Sequence, residues 1–392
     1  MPDQPVDWPA HVRALYKTVT SAAEPGRLTA ANLPDDNAFA GIRIVALGKA
    51  AVRMARAAEE AYAGHRDVSG VVIAKSDEGW LPSRLRFMPG SHPVPDERSL
   101  AAGEAALQVA AGAGPDDLFL VLLSGGGSAL AVAPAHGVTL ADKQAAVKAL
   151  LASGAPIDEI NAKRRQMSRL KGGGLARAAH RAREIVTLAL SDVVGDDPAT
   201  IASGSTWLGH DDKSARYELI GSGRTGLDAA TAYATAQGWD VIDWGDAVTG
   251  DVRVVVRDHA AKFRALQAEI TKPALVISGG EVTSTLPEHA GAGGPNQDYA
   301  LSLMVALEEA GGIFGVAFDT DGCDGIGGGA GGWFTPESLA DARAKSLDPI
   351  ASLKAYASLD FLAALGTQIP EAASGTNIND FRAVLLLPLT KD

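Results

Sequence analysis

The sequence predicts an α/β protein of about two domains. Its 392 residues exceed the length over which a single hydrophobic core usually extends. Forty-four of these residues are glycine, well above the average of about 7%. The glycines cluster directly after apolar runs, which is typical of the turns that join strands to helices. We place the domain boundary after residue 217, which gives domains of residues 1–217 and 218–392.

The composition limits the classes of function. A formal net charge of −12 provides no basic field, which argues against nucleic acid and anionic membranes as partners. The single cysteine, Cys323, excludes a disulfide framework and suits a reducing compartment. The N-terminal residues do not resemble a secretion signal, and no apolar run reaches membrane-spanning length. We therefore expect a cytoplasmic enzyme with a small-molecule substrate, and a homodimer remains open.

The chain begins with a helix and then a strand–turn–helix unit. Residues 9–23 carry apolar side chains at helical spacing. Residues 42–47 form an apolar strand, Gly48 supplies the turn, and Lys49 begins an alanine-rich helix. A cation is unfavourable at the positive end of a helix, so we expect Lys49 to face an anion. A solvated surface lysine is the alternative.

The stretch VLLSGGGS at 121–128 is the main candidate for ligand binding. An apolar strand leads into the loop formed by Ser124, Gly125, Gly126, Gly127 and Ser128. Glycine lets backbone N–H groups approach an anion, and the helix expected next would add its positive end. The loop is not a P-loop, because no G-x-x-x-x-G-K-[ST] occurs in the chain. The pattern predicts phosphate binding, with a turn that only packs a helix on a sheet as the alternative.

Two further segments of the first half carry polar side chains that could serve a site. Residues 90–99 form a proline-rich loop in which Asp96 is expected to cap a helix, and His92 either contacts substrate or has a structural role. Residues 160–179 place basic side chains beside a glycine triplet. Arg164 and Lys171 could there bind phosphate or carboxylate, although such a run is often only a solvated helix face.

Aspartates follow two predicted strands. Asp192, Asp196 and Asp197 come after one of them, and Asp319, Asp321 and Asp324 come after another. Neighbouring carboxylates repel one another unless a cation lies among them, so Mg²⁺ is a natural ligand. We favour function for Asp192 and helix capping for the two aspartates that follow it. The second group is not an EF-hand, since the glutamate at the twelfth position is missing.

Two glycine segments of the second half resemble binding motifs. Residues 273–286 repeat the strand-to-glycine pattern through Gly279, Gly280 and Glu281, which predicts a second binding turn. Residues 218–243 match the dinucleotide fingerprint G-x-G-x-x-G, with Asp243 at the distance expected for ribose binding. The strand before this fingerprint is weakly apolar, so we do not favour a dinucleotide site there.

Taken in order, several strings resemble the glycerate 2-kinases of the MOFRL type, often labelled hydroxypyruvate reductases. The strings are LGKAA, SHPVPDERS, LLSGGGSAL, SRLKGGGLA, LSDVVGDDPATIASG, GSGR, ISGGE, TDGCDG and GTNINDF. The resemblance covers the chain from about residue 44 to its end. It implies two α/β domains, the first Rossmann-like with a largely parallel sheet, and an active site in the interdomain cleft. It also implies phosphorylation of D-glycerate to 2-phosphoglycerate with ATP and Mg²⁺.

The chain departs from the family pattern in four places. Pro295 stands where the family usually has an arginine, and residues 326–332 replace a P-T-D-like segment. Gln166 stands where histidine is common, and Ser205 replaces a proline. The loss of an arginine near a site for an acid makes the substrate less secure than the type of reaction.

Residue chemistry and the resemblance together suggest a division of roles. The loop from Ser124 to Ser128, with Lys171 and the segment Gly279–Glu281, would bind the nucleotide. Lys49, Asp192 and Arg164 would act in catalysis, and Asp192, Asp321 and Asp324 would bind Mg²⁺. The alternatives are an NAD(P)H-dependent hydroxypyruvate reductase, a kinase of another small hydroxy acid, and a nucleotide-sensing protein without catalysis.

Overall fold

The computed structural model describes residues 6–152, 157–212, 214–287, 289–308 and 310–389. The chain forms two compact units. The six-stranded unit comprises Glu24–Gly221, and the seven-stranded unit combines Met1–Ala23 with Ser222–Asp392. The first helix, α1 (Trp8–Ala22), thus belongs with the second half of the chain, whereas the sequence-based division assigned residues 1–217 to one domain. The reason lies in packing, because Trp8 is fully buried against Phe314.

The six-stranded unit contains a parallel sheet. Its strands are β1 (Gly41–Leu47), β2 (Val68–Ala74), β3 (Leu85–Pro89), β4 (Asp117–Leu123), β5 (Glu184–Leu190) and β6 (Arg216–Gly221). All neighbours pair in parallel, in the spatial order β3-β2-β1-β4-β5-β6. This is the strand order of the Rossmann fold, and it confirms the expected parallel α/β unit. Strand β4 is buried at every position, as its continuous apolar run predicts.

The helices of this unit pack on the sheet or against one another. They are α2 (Pro25–Asn32), α3 (Ala51–Ala61), α4 (Glu97–Gly112), α5 (Gly127–Leu130), α6 (Leu140–Ala152), α7 (Ile157–Gln166) and α8 (Gly174–Ala178). As predicted, Asp96 caps α4, where it accepts hydrogen bonds from the backbone of Arg98 and Ser99. Short 3₁₀ turns cover Asp36–Ala38 and Ile201–Gly204.

The seven-stranded unit contains a mixed sheet. Its strands are β7 (Asp240–Asp243), β8 (Val248–Asp251), β9 (Ala274–Thr283), β10 (Ile313–Asp319), β11 (Gly331–Phe334), β12 (Gln368–Ile369) and β13 (Asp380–Leu386). The order is β12-β11-β10-β13-β9-β7, and β8 also pairs with β9. Strand β13 runs antiparallel between β10 and β9, while β7 and β8 run parallel to β9.

The helices of the second unit pack around a core of its own. Besides α1 they are α9 (Gly223–Ala236), α10 (Val252–Glu269), α11 (Pro295–Ala306), α12 (Ser338–Ala344), α13 (Pro349–Lys354) and α14 (Ser358–Leu365). Phe263, Tyr299 and Phe361 lie in that core. Among the described residues, no helix has both the length and the apolar character that a membrane crossing requires.

Candidate active site

The site predicted from the first half of the chain lies at the carboxyl ends of β1 and β4. The strand order reverses between these two strands, which is where open parallel sheets bind ligands. The two loops that leave the strands are hydrogen-bonded to each other. The N–H of Lys49 donates to the carbonyl of Gly125 at 2.8 Å, and the N–H of Ala50 donates to Ser124 Oγ at 2.9 Å. These bonds hold Lys49 beside the glycine loop.

Glycine is required at the turn after β1. Gly48 has a φ of +134°, and a Cβ there would lie 2.2 Å from Ser124 Oγ. Lys49 itself is exposed and precedes the cap residue Ala50 of α3. The sequence-based placement of Lys49 in the first helical turn is therefore wrong by two residues, because the helix begins only at Ala51.

Asp192 lies directly against the glycine loop. It follows β5, the neighbour of β4 in the sheet. A Cβ added to Gly125 would lie only 1.8 Å from Asp192 Oδ2. Gly125 therefore lets the carboxylate approach the loop backbone, and both residues come from motifs that the sequence analysis selected separately.

His92 and Lys49 approach the next residue of the loop. Gly126 has a φ of +81°, and its Cβ position lies 3.2 Å from His92 Cδ2 and 3.3 Å from Lys49 Cγ. Burial and the charges of Lys49 and Lys75 lower the pKa of His92, while Asp192 raises it. The loop thus has a lysine, an imidazole held toward its neutral form and a carboxylate around it.

The helix expected after the loop is only one turn long. Helix α5 contains four residues, so the predicted contribution of a helix end to anion binding is not supported. Ser128 instead has its Oγ 2.6 Å from the Oγ of Ser203, to which Lys171 Nζ donates at 3.0 Å. Ala202 and Ser203 both have left-handed backbones, with φ of 47° and 56°. Such strain in non-glycine residues is concentrated at functional sites.

The basic segment contributes a buried lysine. Lys171 is 8% exposed, and burial, Lys143 and Arg164 lower its pKa to about 7. Lys143, on α6, was missed by sequence reasoning because it lies in a helix whose pattern gives no sign of its burial. Asp197 accepts hydrogen bonds from the N–H of Ala199 and the hydroxyl of Thr200 within a turn. The helix capping predicted for Asp196 and Asp197 is wrong, because among the described residues no helix begins near Pro198 and the 3₁₀ turn that follows starts only at Ile201.

The second group of aspartates lies in the seven-stranded unit. Burial and the charges of Asp321 and Asp380 raise the pKa of Asp319 to about 8. Asp324 is 1% exposed and caps α11, because its two oxygens accept from the N–H groups of Asn296 and Gln297 at 3.1 and 2.8 Å. These bonds favour a structural role for Asp324 over metal binding.

The segment Gly279–Glu281 is not a turn, contrary to the sequence-based expectation. It lies inside β9, which continues to Thr283. Gly279 pairs with Phe381 of β13, and Gly280 pairs with both Asp380 and Val248. Gly280 has a φ of +112°, and a Cβ there would lie 2.2 Å from the carbonyl oxygen of Val248. Its glycine is explained by close packing of strands.

The dinucleotide fingerprint does not form a nucleotide-binding unit. Gly221 ends β6 in one sheet, whereas α9 and β7 belong to the other unit. Gly226 packs against Val19 and Ile378, and Asp243 forms an ion pair with Arg224 at 2.6 Å. The match arises where the chain passes from one unit to the other.

No group of three or more His, Cys, Asp or Glu side chains in the described parts of the chain is arranged to hold a metal ion. Asp192 in the first unit and Asp321 in the second are both half-buried. They are the other two carboxylates that the sequence suggested as metal ligands.

Comparison with known proteins identifies the family. Residues 11–221 match a family described as a domain of unknown function (DUF4147), and residues 274–380 match the MOFRL family. The chain is 32% identical to the D-glycerate 2-kinase of Thermotoga maritima, over 93% of this chain and 95% of that protein. It is 39% identical to an Agrobacterium vitis protein provisionally named a hydroxypyruvate reductase, over 88% of this chain and 98% of that protein.

A solved structure agrees with these matches. The crystal structure of a glycerate kinase from Thermotoga maritima superimposes with a TM-score of 0.90 and 31% identity, covering 98% of this chain and all of that one. With this identity and coverage, the match indicates membership of the same family and not only a shared fold. The chain belongs to the MOFRL-type glycerate kinase family.

Proposed function

We propose that the protein transfers the γ-phosphoryl group of ATP, with Mg²⁺, to the 2-hydroxyl of D-glycerate. The observation that carries the proposal is the meeting of Lys49, the glycine loop and Asp192 at the switch point of the parallel sheet. Phosphoryl transfer depends mainly on alignment and charge neutralisation, and this set of groups supplies both. The names of the Thermotoga relatives support the same reaction.

The glycine loop is the proposed phosphate site. Without side chains at 125–127, its backbone N–H groups can approach phosphate oxygens closely. Lys49, held beside the loop by its own backbone bond to Gly125, would stabilise charge on the transferring group. Gly279–Glu281 lie in a strand, so we assign the nucleotide phosphates to the loop of the first unit.

Asp192 is the proposed base or metal ligand. In the transfer, the bond from the γ-phosphorus to the bridging oxygen of ADP breaks as a bond to the substrate oxygen forms. The proton of the substrate hydroxyl passes to a base, and the Asp192 carboxylate against Gly125 can accept it. Burial and the charges of Lys49 and Lys75 lower the pKa of His92, which favours an imidazole that can donate or accept a hydrogen bond.

Mg²⁺ fits the oxygen chemistry of both acidic regions. The ion usually binds one or two carboxylates and takes its other ligands from phosphates and water, so a single carboxylate beside the phosphate loop is a suitable donor. When bound, it would neutralise phosphate charge. We propose Asp192 as its carboxylate beside the phosphate loop and keep Asp321 as a separate candidate within the seven-stranded unit. We infer a capping role for Asp324 from its backbone bonds.

Pro295 stands in place of the family's usual arginine, so a related small hydroxy acid is the alternative substrate. We also infer that the enzyme is cytoplasmic. Light scattering after gel filtration tests whether it forms a homodimer.

A coupled assay tests the reaction and its main alternative together. ADP release with D-glycerate is measured beside oxidation of NADH with hydroxypyruvate. We expect ADP release that stops with a chelator and returns with Mg²⁺ or Mn²⁺. NADH oxidation without ADP release would overturn the kinase proposal in favour of a reductase.

Variants test the assigned residues within the same assay. Lys49→Met and Asp192→Asn should each lower kcat by on the order of 10²-fold, because each removes a charge that acts on the reacting groups. Lys148→Met, at an exposed position of α6, is the control for loss of a lysine. Full turnover in both site variants would remove Lys49 and Asp192 from the site even if the kinase activity stands.

A further inference from the structure

Lys143 of α6 is buried, and no side chain in the described part of the chain pairs with its charge. Its side chain is 8% exposed. Among the described residues, its Nζ is a buried polar atom with no hydrogen-bond partner. An ammonium group removed from water normally requires a hydrogen bond or an opposite charge. A buried lysine with neither is a costly feature, and one that a bound anion would compensate.

A second buried lysine lies close to the first. Lys171 is equally buried, and the positive charges of Lys143 and Arg164 contribute to the lowering of its pKa. No ion pair of the described residues includes Lys143 or Lys171. Three basic groups from α6, α7 and the segment that follows α7 therefore come together. Like charges in a desolvated region repel, and an anion relieves that repulsion.

The lysine pair is connected to the phosphate loop. Lys171 Nζ donates to Ser203 Oγ, and Ser203 Oγ is 2.6 Å from the hydroxyl of Ser128, the last residue of that loop. Ser203 holds this position in a left-handed conformation, with a φ of 56°. The hydroxyl pair thus connects Lys171 to the end of the loop opposite Gly125, and Lys143 acts on Lys171 through its charge.

We propose that Lys143 and Lys171 form the binding site for the carboxylate of the hydroxy acid. The proposal rests on the proposed function and extends it to the acid group of the substrate. The Gly125 end of the loop already has Lys49 for the phosphates, so the buried lysines are available for a second anion. Two lysines suit a carboxylate, since each ammonium can donate to one of its oxygens.

The same geometry couples binding to proton uptake. Burial lowers the pKa of Lys143 to about 8, and burial with Lys143 and Arg164 lowers that of Lys171 to about 7. Near pH 8 the empty site is therefore partly deprotonated, whereas a bound carboxylate favours both ammonium forms. Substrate binding should take up protons at pH 8, and affinity should fall as the pH rises above the pKa values of the empty site.

Binding is measured by calorimetry with D-glycerate alone, in two buffers of different ionisation enthalpy, so that catalysis is not needed. Lys143→Met keeps an unbranched apolar stem but removes the terminal ammonium group and its charge. It should raise the Kd for D-glycerate by about 10- to 100-fold and reduce the proton uptake at pH 8. Lys148→Met on the same helix is exposed and should change neither quantity.

The melting temperature of the unliganded variant serves as the control for correct folding. Removal of an uncompensated buried charge should leave this temperature unchanged or raise it. A lower melting temperature with unchanged Kd would assign Lys143 a structural role and overturn the proposal.

Steady-state kinetics distinguish whether the anion bound by Lys143 and Lys171 is the substrate carboxylate or a phosphate of the nucleotide. Lys143→Met should raise the KM for D-glycerate and leave the KM for ATP within about threefold, because the lysine acts on one substrate. A raised KM for ATP alone would assign the lysines to a phosphate and overturn the proposal. If the wild-type protein lacks kinase activity, the proposed function fails, yet calorimetry with D-glycerate, lactate and tartronate still tests the site. Absence of binding of all three acids would overturn it.

Discussion

Two segments of the chain share a local sequence but not a structure. In both, an apolar run leads into Ser-Gly-Gly, at 121–126 and at 275–280. In the first unit the strand ends at Leu123 and the glycines form a loop, whereas β9 continues through its glycines to Thr283. The difference comes from the neighbours. Beyond Leu123 the loop bonds to the turn after β1, while Gly280 has the paired backbones of β8 and β13 on its two sides.

The comparison shows that a glycine run after a strand indicates a group packed closely against the backbone. The identity of that group determines whether the segment forms part of a site or of a sheet. At Gly125 the approaching group is a carboxylate, which can take part in chemistry. At Gly280 it is a backbone carbonyl, which is already part of a sheet. Substitutions at the two places should therefore damage different properties of the protein.

The largest effect is expected on turnover at the first segment. Gly125→Ala places a methyl group where Asp192 Oδ2 lies at 1.8 Å, so the carboxylate must move away from the loop. We expect kcat to fall by on the order of 10²-fold, since a displacement of about 1 Å can have that effect. Gly279→Ala is the matched control, because its nearest atoms lie at 3.3 Å. Equal losses of kcat in the two variants would contradict the distinction.

An intermediate effect is expected on stability at the second segment. Gly280→Ala combines a φ of +112° with a contact of 2.2 Å to the backbone of Val248. We expect the free energy of unfolding to fall by about 2–4 kcal/mol, measured by urea denaturation, with kcat retained in the folded fraction. Gly64→Ala, whose Cβ would meet nothing within 4 Å, should change stability little. A stable Gly280→Ala protein with lost turnover would instead place this strand in the active site.

The smallest effect is expected at the third glycine segment, the dinucleotide fingerprint. Asp243 pairs with Arg224, and both side chains are partly exposed, so Asp243→Ala should reduce stability by less than about 1 kcal/mol. NADH fluorescence should show no saturable binding below millimolar concentration in either protein. NADH binding with a micromolar Kd that is lost in the variant would show that this segment binds a dinucleotide and does not only connect the two units.

Local pattern was sufficient for much of the fold. The apolar runs before Gly48 and Ser124 predicted β1 and β4, and the helical spacing at 9–23 predicted α1, because burial of these side chains fixes the period of the pattern. Asp96 was also recognisable, since a cap needs only its own neighbours in sequence.

Long-range pairing explains what the sequence could not predict. Whether Gly279 and Gly280 turn or continue depends on β8 and β13, which lie about 30 residues before and about 100 residues after them in the chain. Lys143 is similar, because the periodicity of α6 does not show which neighbours cover its side chain. The sequence therefore predicted a candidate site from the residues after β1, β4 and β5, and it did not predict the burial of Lys143.

The place of α1 in the second unit has a consequence for synthesis of the chain. Trp8 is fully buried, with its indole N–H bonded to the carbonyl of Gly315 at 3.1 Å. These residues are 307 positions apart, and the whole six-stranded unit lies between them. At typical rates of translation the interval is roughly 15–60 s. During that time the six-stranded unit can fold, while the apolar face of α1, with Trp8 and Leu15, is still without the strand that covers it.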